Sequence, residues 1–89
     1  MKDLKITVDR VVKRCGAHHK PGECFYIRGK GRIELPPGQT MCVYAISGLI
    51  PFLTAKQRED DLPNDDYIPE TYELCCPDPE GIVFKIEAL

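Results

Sequence analysis

The sequence predicts an α+β domain: a small antiparallel sheet of about four or five strands packed on one main helix. Three observations carry this. Short runs that alternate apolar and polar residues recur near both ends of the chain, separated by Pro- and Gly-rich breaks. One stretch, from about Met41, repeats apolar side chains at helical spacing. At 89 residues the chain is long enough for one modest core and too short for two, so residues 1–89 form a single domain.

Residues 2–12 read as the first strand. Leu4, Ile6 and Val8 alternate with Lys5, Thr7 and Asp9, and Val11 and Val12 then break the alternation, which marks a place for a bulge. Lys20-Pro21-Gly22-Glu23 is a turn, with proline fixing φ at the first central position and glycine tolerating a positive φ at the second. Residues 24–28 form the second strand, with Phe25 and Ile27 inward and Cys24, Tyr26 and Arg28 outward. Gly29-Lys30-Gly31 turns the chain into a third strand over residues 32–35, with Ile33 and Leu35 expected inward. These glycines lack the spacing of a phosphate-cradling loop.

Pro36-Pro37-Gly38 ends that hairpin, and Thr40 is the expected helix N-cap. The helix places Cys42, Ala45, Ile46 and Leu49 on one stripe, and Pro51 is expected to kink or end it near Ile50, with a further turn over residues 52–57. Residues 59–70 combine clustered acids with Pro63, Asn64 and Pro69, which predicts an acidic surface loop pinned by Leu62, Tyr67 and Ile68. Residues 71–76 and 82–87 flank Pro77-Asp78-Pro79-Glu80-Gly81 and read as a closing hairpin. Tyr72, Leu74 and Cys76 share one face of it, as do Ile82, Phe84 and Ile86. If Leu4 and Phe84 lie on neighbouring strands, the termini close one edge of the sheet.

Composition narrows the function. No apolar run approaches the roughly 20 residues that cross a bilayer, and Met1-Lys2-Asp3-Leu4-Lys5-Ile6 is interrupted by charges, so a cytoplasmic protein without a membrane partner is expected. The net charge of −2 conceals an uneven distribution. Residues 1–58 carry eleven Lys and Arg against four Asp and Glu, a net of +7; residues 59–80 carry nine acids and no base, a net of −9. Either the acidic segment folds back on the basic part, or a basic surface attracts an anionic partner. A nucleic-acid binder would combine net positive charge with exposed aromatic platforms, and neither is evident. A protein is the partner class that remains.

Five cysteines are many for this length, and with no signal peptide they read as reduced thiols or metal ligands. Adjacent Cys75 and Cys76 rarely bridge to each other, because the ring is strained. Residues 15–25 concentrate Cys15, His18, His19 and Cys24 around a Pro-Gly turn. Cys42 begins the helix, where unpaired N–H groups and the dipole favour negative charge. Cys76 alternates inward and Cys75 outward. Cys15, His19, Cys42 and Cys76 all fall at the ends of elements, where loops converge, and three thiolates with one imidazole suit tetrahedral zinc, or iron held in a cluster. These four are the candidate metal ligands.

Other readings stand beside that one. Zinc sites usually contain a local pair of closely spaced cysteines, which this chain lacks, and buried cysteine is common core packing. His19 also fits a loop histidine bonded to a backbone carbonyl, His18 faces solvent, and Asp78 caps its own turn. No Ser-His-Asp set, Gly-x-Ser-x-Gly or paired carboxylates can be traced, and a Cys42–His19 nucleophile pair has no visible third orienting group. No residue is therefore assigned as catalytic. The reading is a small Cys/His domain, metal-binding or redox-responsive; the alternative is a non-catalytic protein-interaction module whose cysteines are core packing.

Several of these residues also form a pattern. Cys15-x-x-x-His19-Lys20-x-Gly22-Glu23-x-Phe25, Pro37-Gly38, Cys42-x-x-Ala45, and Cys76-Pro77-Asp78-Pro79 followed by Val83-Phe84 cover almost the whole chain. The pattern resembles a small prokaryotic family of about this length, frequent in anaerobes and without an assigned activity, whose motifs run C-x-x-G-H-K-x-G-D, E-G-x-C-P-x-A and C-P-D-P. His18 stands where that family tends to have glycine, Glu23 where it has aspartate, and Val43 where proline is common. The resemblance implies that Cys15, His19, Cys42 and Cys76 act as a group. It implies no mechanism.

Overall fold

A computed structural model describes residues 1–89 as β1 (Leu4–Val11), β2 (Cys24–Arg28), β3 (Arg32–Glu34), α1 (Val43–Gln57), two single 3₁₀ turns (Glu59–Asp61 and Ile68–Glu70), β4 (Glu73–Cys75) and β5 (Ile82–Ala88). The α+β class holds. All strand pairs are antiparallel, in the order β3-β2-β1-β5-β4. The first and last strands are neighbours, with Leu4 opposite Ala88 and Val8 opposite Phe84, but they pair at the centre of the sheet rather than at an edge. No helix is long and apolar enough to cross a membrane.

One sheet face makes the core. Leu4, Ile6 and Val8 from β1, Phe25 and Ile27 from β2, and Ile82, Phe84 and Ile86 from β5 pack against Ala45, Leu49 and Leu53 of α1. Phe25 and Phe84 meet edge to face with centroids 6.3 Å apart, an arrangement that adds about 0.5–1.5 kcal/mol to their area burial. The opposite face carries Lys5, Thr7, Tyr26, Cys24 and Lys85 and stays open. A bulge exists, but two to three residues before the Val11–Val12 break: the β1–β5 register shifts between Val8 and Arg10, around Asp9, and Val11 is regularly paired with Ile82.

Several expectations are corrected. Ile33 is paired with Ile27 and so lies on the core side, yet it is 45% exposed, and Leu35 is exposed too. Alternation tells which face a residue takes; at the edge strand nothing covers that face. The N-cap of α1 is Cys42, not Thr40, and no side chain caps the helix. Pro51 lies inside α1 and does not end it. Proline forfeits one backbone bond, but Leu49 and Leu53 are both buried on either side of it, and that packing holds the helix through. Tyr72 and Tyr67 are exposed rather than inward or pinning.

The acidic segment folds back onto the basic part of the chain. Lys2 Nζ meets Glu59 at 2.8 Å and Asp60 at 3.3 Å, Arg10 meets Glu73 at 3.2 Å, and Lys13 meets Glu80 at 3.2 Å. Its anchor is Ile68, buried, above a lysine that the sequence does not advertise. Lys56 on the last turn of α1 is 2% exposed. Its ammonium donates to the carbonyls of Ile68 (3.3 Å) and Pro69 (3.0 Å). It also pairs with Glu59 Oε2 at 2.5 Å and sits 4.5 Å from the Tyr72 ring centroid. Beside it, buried Gln57 donates to Gly29 O at 2.9 Å and accepts the Lys2 N–H on its own carbonyl at 2.8 Å. This end of the helix is tied to the β2–β3 turn and to the chain start.

Candidate functional site

The other end of α1 holds the cysteines. β1 continues beyond Val11 as an irregular strip whose N–H groups at Val12, Lys13 and Arg14 bond the carbonyls of Gly81 and Glu80. That strip delivers Cys15 beside the Pro77–Gly81 loop. The loop is closed by two bonds to Asp78: Glu80 N–H to its Oδ1 at 3.0 Å and Gly81 N–H to its carbonyl at 2.9 Å. Asp78 therefore caps its turn, as the sequence suggests. Cys76 N–H donates to Ile82 O at 2.9 Å, and the Cys76 side chain turns inward while Cys75 is exposed. Two glycines allow the close approach. A Cβ on Gly81 would stand 3.5 Å from Cys76 Sγ, and one on Gly48 would stand 3.0 Å from two ring atoms of Pro77.

These segments and the start of α1 enclose a pocket of about 280 Å³. Three of the four candidate residues line it: Cys15 and Cys42, both half-buried, and Cys76, buried. They come from three separate segments. Arg14, Tyr44 and Asp78 add polar groups to the same wall. All five cysteines are free thiols, with Cys24 on the open face of the sheet away from this pocket.

His19, the fourth candidate, is buried (7% exposed) but does not line the pocket. The Lys20–Glu23 turn holds it: Gly22 has φ of 96° and the Glu23 N–H reaches the Lys20 carbonyl at 3.2 Å, as a type II turn requires. Both ring nitrogens are engaged. The backbone N–H of Cys42 donates to Nε2 at 3.0 Å, and Nδ1 stands 2.7 Å from Glu23 Oε1. Because Nε2 accepts, the proton sits on Nδ1 and is donated to the carboxylate. The His19 hydrogen bond, joined by the Lys20 N–H at 3.1 Å, holds the Glu23 carboxyl below its ordinary value against its partial burial. His19 thus bonds a backbone N–H and a carboxylate, where the sequence suggested a carbonyl.

No group of three or more His, Cys, Asp and Glu side chains is placed to hold an ion, and the imidazole has no free nitrogen. His18 faces solvent with φ of 60°, the left-handed region that glycine favours. Two members of the site were not singled out from sequence. Glu23 stands within the motif and lies four residues from His19, but no role was given to it; Arg14 had only its place next to Cys15. Comparison with protein-family models, curated proteins and solved structures finds no match to this chain.

Proposed function

We propose that this chain is a small thiol domain that senses redox state through the pocket bearing Cys15, Cys42 and Cys76. The observation that carries the reading is convergence: thiols 27 and 34 residues apart in sequence share one 280 Å³ pocket. Core packing alone would not require them to line an opening. The motif likeness to the small prokaryotic family supports the same grouping, and five free thiols suit a reducing compartment such as the cytoplasm. Binding of zinc or iron is the competing form of this reading; it needs His19 to release both its bonds and the thiols to close in.

The test is thiol titration of the folded protein before and after mild peroxide, together with elemental analysis of anaerobically purified material. Loss of the pocket thiols on oxidation, with well under about one equivalent of zinc or iron, supports the redox form. A full equivalent of metal replaces it with the metal form. Pocket thiols that neither oxidise nor bind metal overturn both.

A second reading, a protein-interaction module, has one observation in its favour. The chain carries no charged residue from position 43 to position 55, and the outer side of α1 exposes Val43 (80%), Tyr44 (58%) and Ile50 (46%). Self-association or partner capture that is lost in Val43→Glu/Ile50→Glu, with the fold retained, supports it; a wild-type chain that stays monomeric and captures nothing removes it.

A further inference from the structure

We infer that β3 is a dimer edge: two copies of this chain join their sheets by antiparallel pairing of residues 32–34 about Ile33. The inference stands apart from the thiol pocket and gives the interaction-module reading a surface and a partner. β3 is an outer strand of the sheet, β2 occupies one side of it, and no backbone bond outside that ladder reaches residues 32–34. A row of unpaired N–H and C=O groups is a template for a further strand. The strand is also bare on its core side, where Ile33 and Leu35 are exposed.

Charge decides which strand fits that edge. Arg32-Ile33-Glu34 is complementary to itself in the antiparallel sense: with Ile33 of one copy opposite Ile33 of the other, each Arg32 meets a Glu34 across the seam, twice by symmetry. Arg32 lacks such an acid within its own chain. It stands opposite Arg28, a like charge, and the carboxylates of Asp3 and Glu34 are both taken by Arg28. Glu34 engages only Oε1 there, at 3.3 Å from Arg28 Nε, and keeps its other oxygen. On the core side the same register joins the two Ile33 side chains and sets Leu35 of each copy level with Gly31 of the other. Gly31 presents no side chain, and α1 lies against it: a Cβ there would stand 3.2 Å from Thr54 Cγ2. Ile50 is one turn before Thr54 on the same side of α1, and Val43 two turns before Ile50, so the exposed helix flank borders the seam. The opposite edge of the sheet offers no such match. Pairing β4 about Leu74 would set Glu73 opposite Cys75, and Glu73 already pairs with Arg10.

A three-residue edge buries less than the roughly 800 Å² per partner of a standard interface, so the dissociation constant should be on the order of 10–100 μM. Sedimentation equilibrium of the folded full chain measures it, under reducing conditions so that no disulfide contributes. Arg32→Glu and Glu34→Arg each turn both symmetric charge pairs repulsive, and each alone should weaken the dimer by about tenfold or more. Mixed together, the two variants set acid opposite base at both pairs, so the mixture should dimerise as the wild type does. Both positions are exposed, and circular dichroism should show the fold retained. A wild-type chain that is monomeric up to about 1 mM, a dimer that both variants keep, or a mixture no tighter than either variant alone overturns the edge pairing. The interaction-module reading falls with it only if the monomer also captures no other protein. A dimer indifferent to both charge changes but lost in Val43→Glu/Ile50→Glu moves the interface to α1, which overturns this assignment and leaves that reading intact.

Discussion

Replacing Lys56 with Met tests whether a buried charge holds the second half of this fold. Met keeps the length of the stem and its apolar contacts and removes the ammonium. The carbonyls of Ile68 and Pro69 then lose their donor, and Glu59, whose side chain is 12% exposed, loses one of its two cations. Breaking a buried pair costs about 3–5 kcal/mol. Glu59 keeps Lys2 at 2.8 Å, which places the loss near the lower end, about 3 kcal/mol. At roughly 4–8 °C per kcal/mol for a domain of this size, the melting midpoint should fall by roughly 12–24 °C. Urea unfolding followed by circular dichroism measures it, with the slope unchanged. Acid adds a second readout. Burial would push the Glu59 carboxyl up, but Lys2 and Lys56 outweigh it and hold it below its ordinary value. A depressed carboxyl contributes stability that is full above the ordinary carboxylate range and is lost as pH falls through the folded value. The gap between wild type and Lys56→Met should therefore narrow on acidification. A loss under about 1 kcal/mol at neutral pH would refute the buried-clamp argument, and a gap that does not change with pH would remove Glu59 from it.

Four further substitutions probe the pocket and the segments beside it. Cys75→Ser should be neutral within about 0.5 kcal/mol, whereas Cys76→Ser should cost about 1–3 kcal/mol for a hydroxyl buried without a partner; equal labelling of the two thiols in the folded chain would mean the β4–β5 hairpin is wrongly drawn. Gly48→Ala places a methyl 3.0 Å from the Pro77 ring, so an overpacking cost of about 1–3 kcal/mol should outweigh the gain of about 1 kcal/mol in helix propensity. Cys76 should then label faster, and a stabilised variant with unchanged labelling would show that the loop does not rest on α1. His18→Gly relieves a φ of 60°, worth about 1–2 kcal/mol, less about 0.4–1 kcal/mol of unfolded-chain entropy; a small stabilisation in a thermal melt is expected, and a loss would reveal a contact made by the imidazole.

The strands that share the core were legible because burial on one face leaves a period of two. Leu4, Ile6, Val8, Phe25, Ile27, Phe84 and Ile86 all fall where alternation puts them. The rule failed at Ile33 and Tyr72, because it names a face and cannot say whether a helix lies over it. Pro51 misled for a similar reason: a local penalty was weighed without the burial of Leu49 and Leu53 that overrides it. Cys15, Cys42 and Cys76 could be grouped because all three end elements, and ends of antiparallel strands meet at the rim of a sheet. His19 could be chosen but its partners could not, since the N–H it accepts lies 23 residues away. Lys56 was the least legible. A lysine ahead of an acidic loop reads as a solvated pair, and the one hint was that it is the first charge after an uncharged helix.

The two ends of α1 divide the work. Its C-terminal end carries Lys56, Gln57 and the Lys2–Glu59 pair, every one of which ties distant segments together. Its N-terminal end is left without a side-chain cap, beside a pocket of free thiols. The helix rise of about 1.5 Å per residue puts Cys42 and Lys56 about 21 Å apart along the axis. A fold that needed the thiol end for stability would cap that helix and fill the pocket. Here the buried charges at one end hold the helix in place through Pro51, and a single imidazole, braced by Glu23, bonds the uncapped end by its first N–H. That bond joins the Lys20–Glu23 turn to the start of α1, so the imidazole seats the residue that carries one of the three pocket thiols.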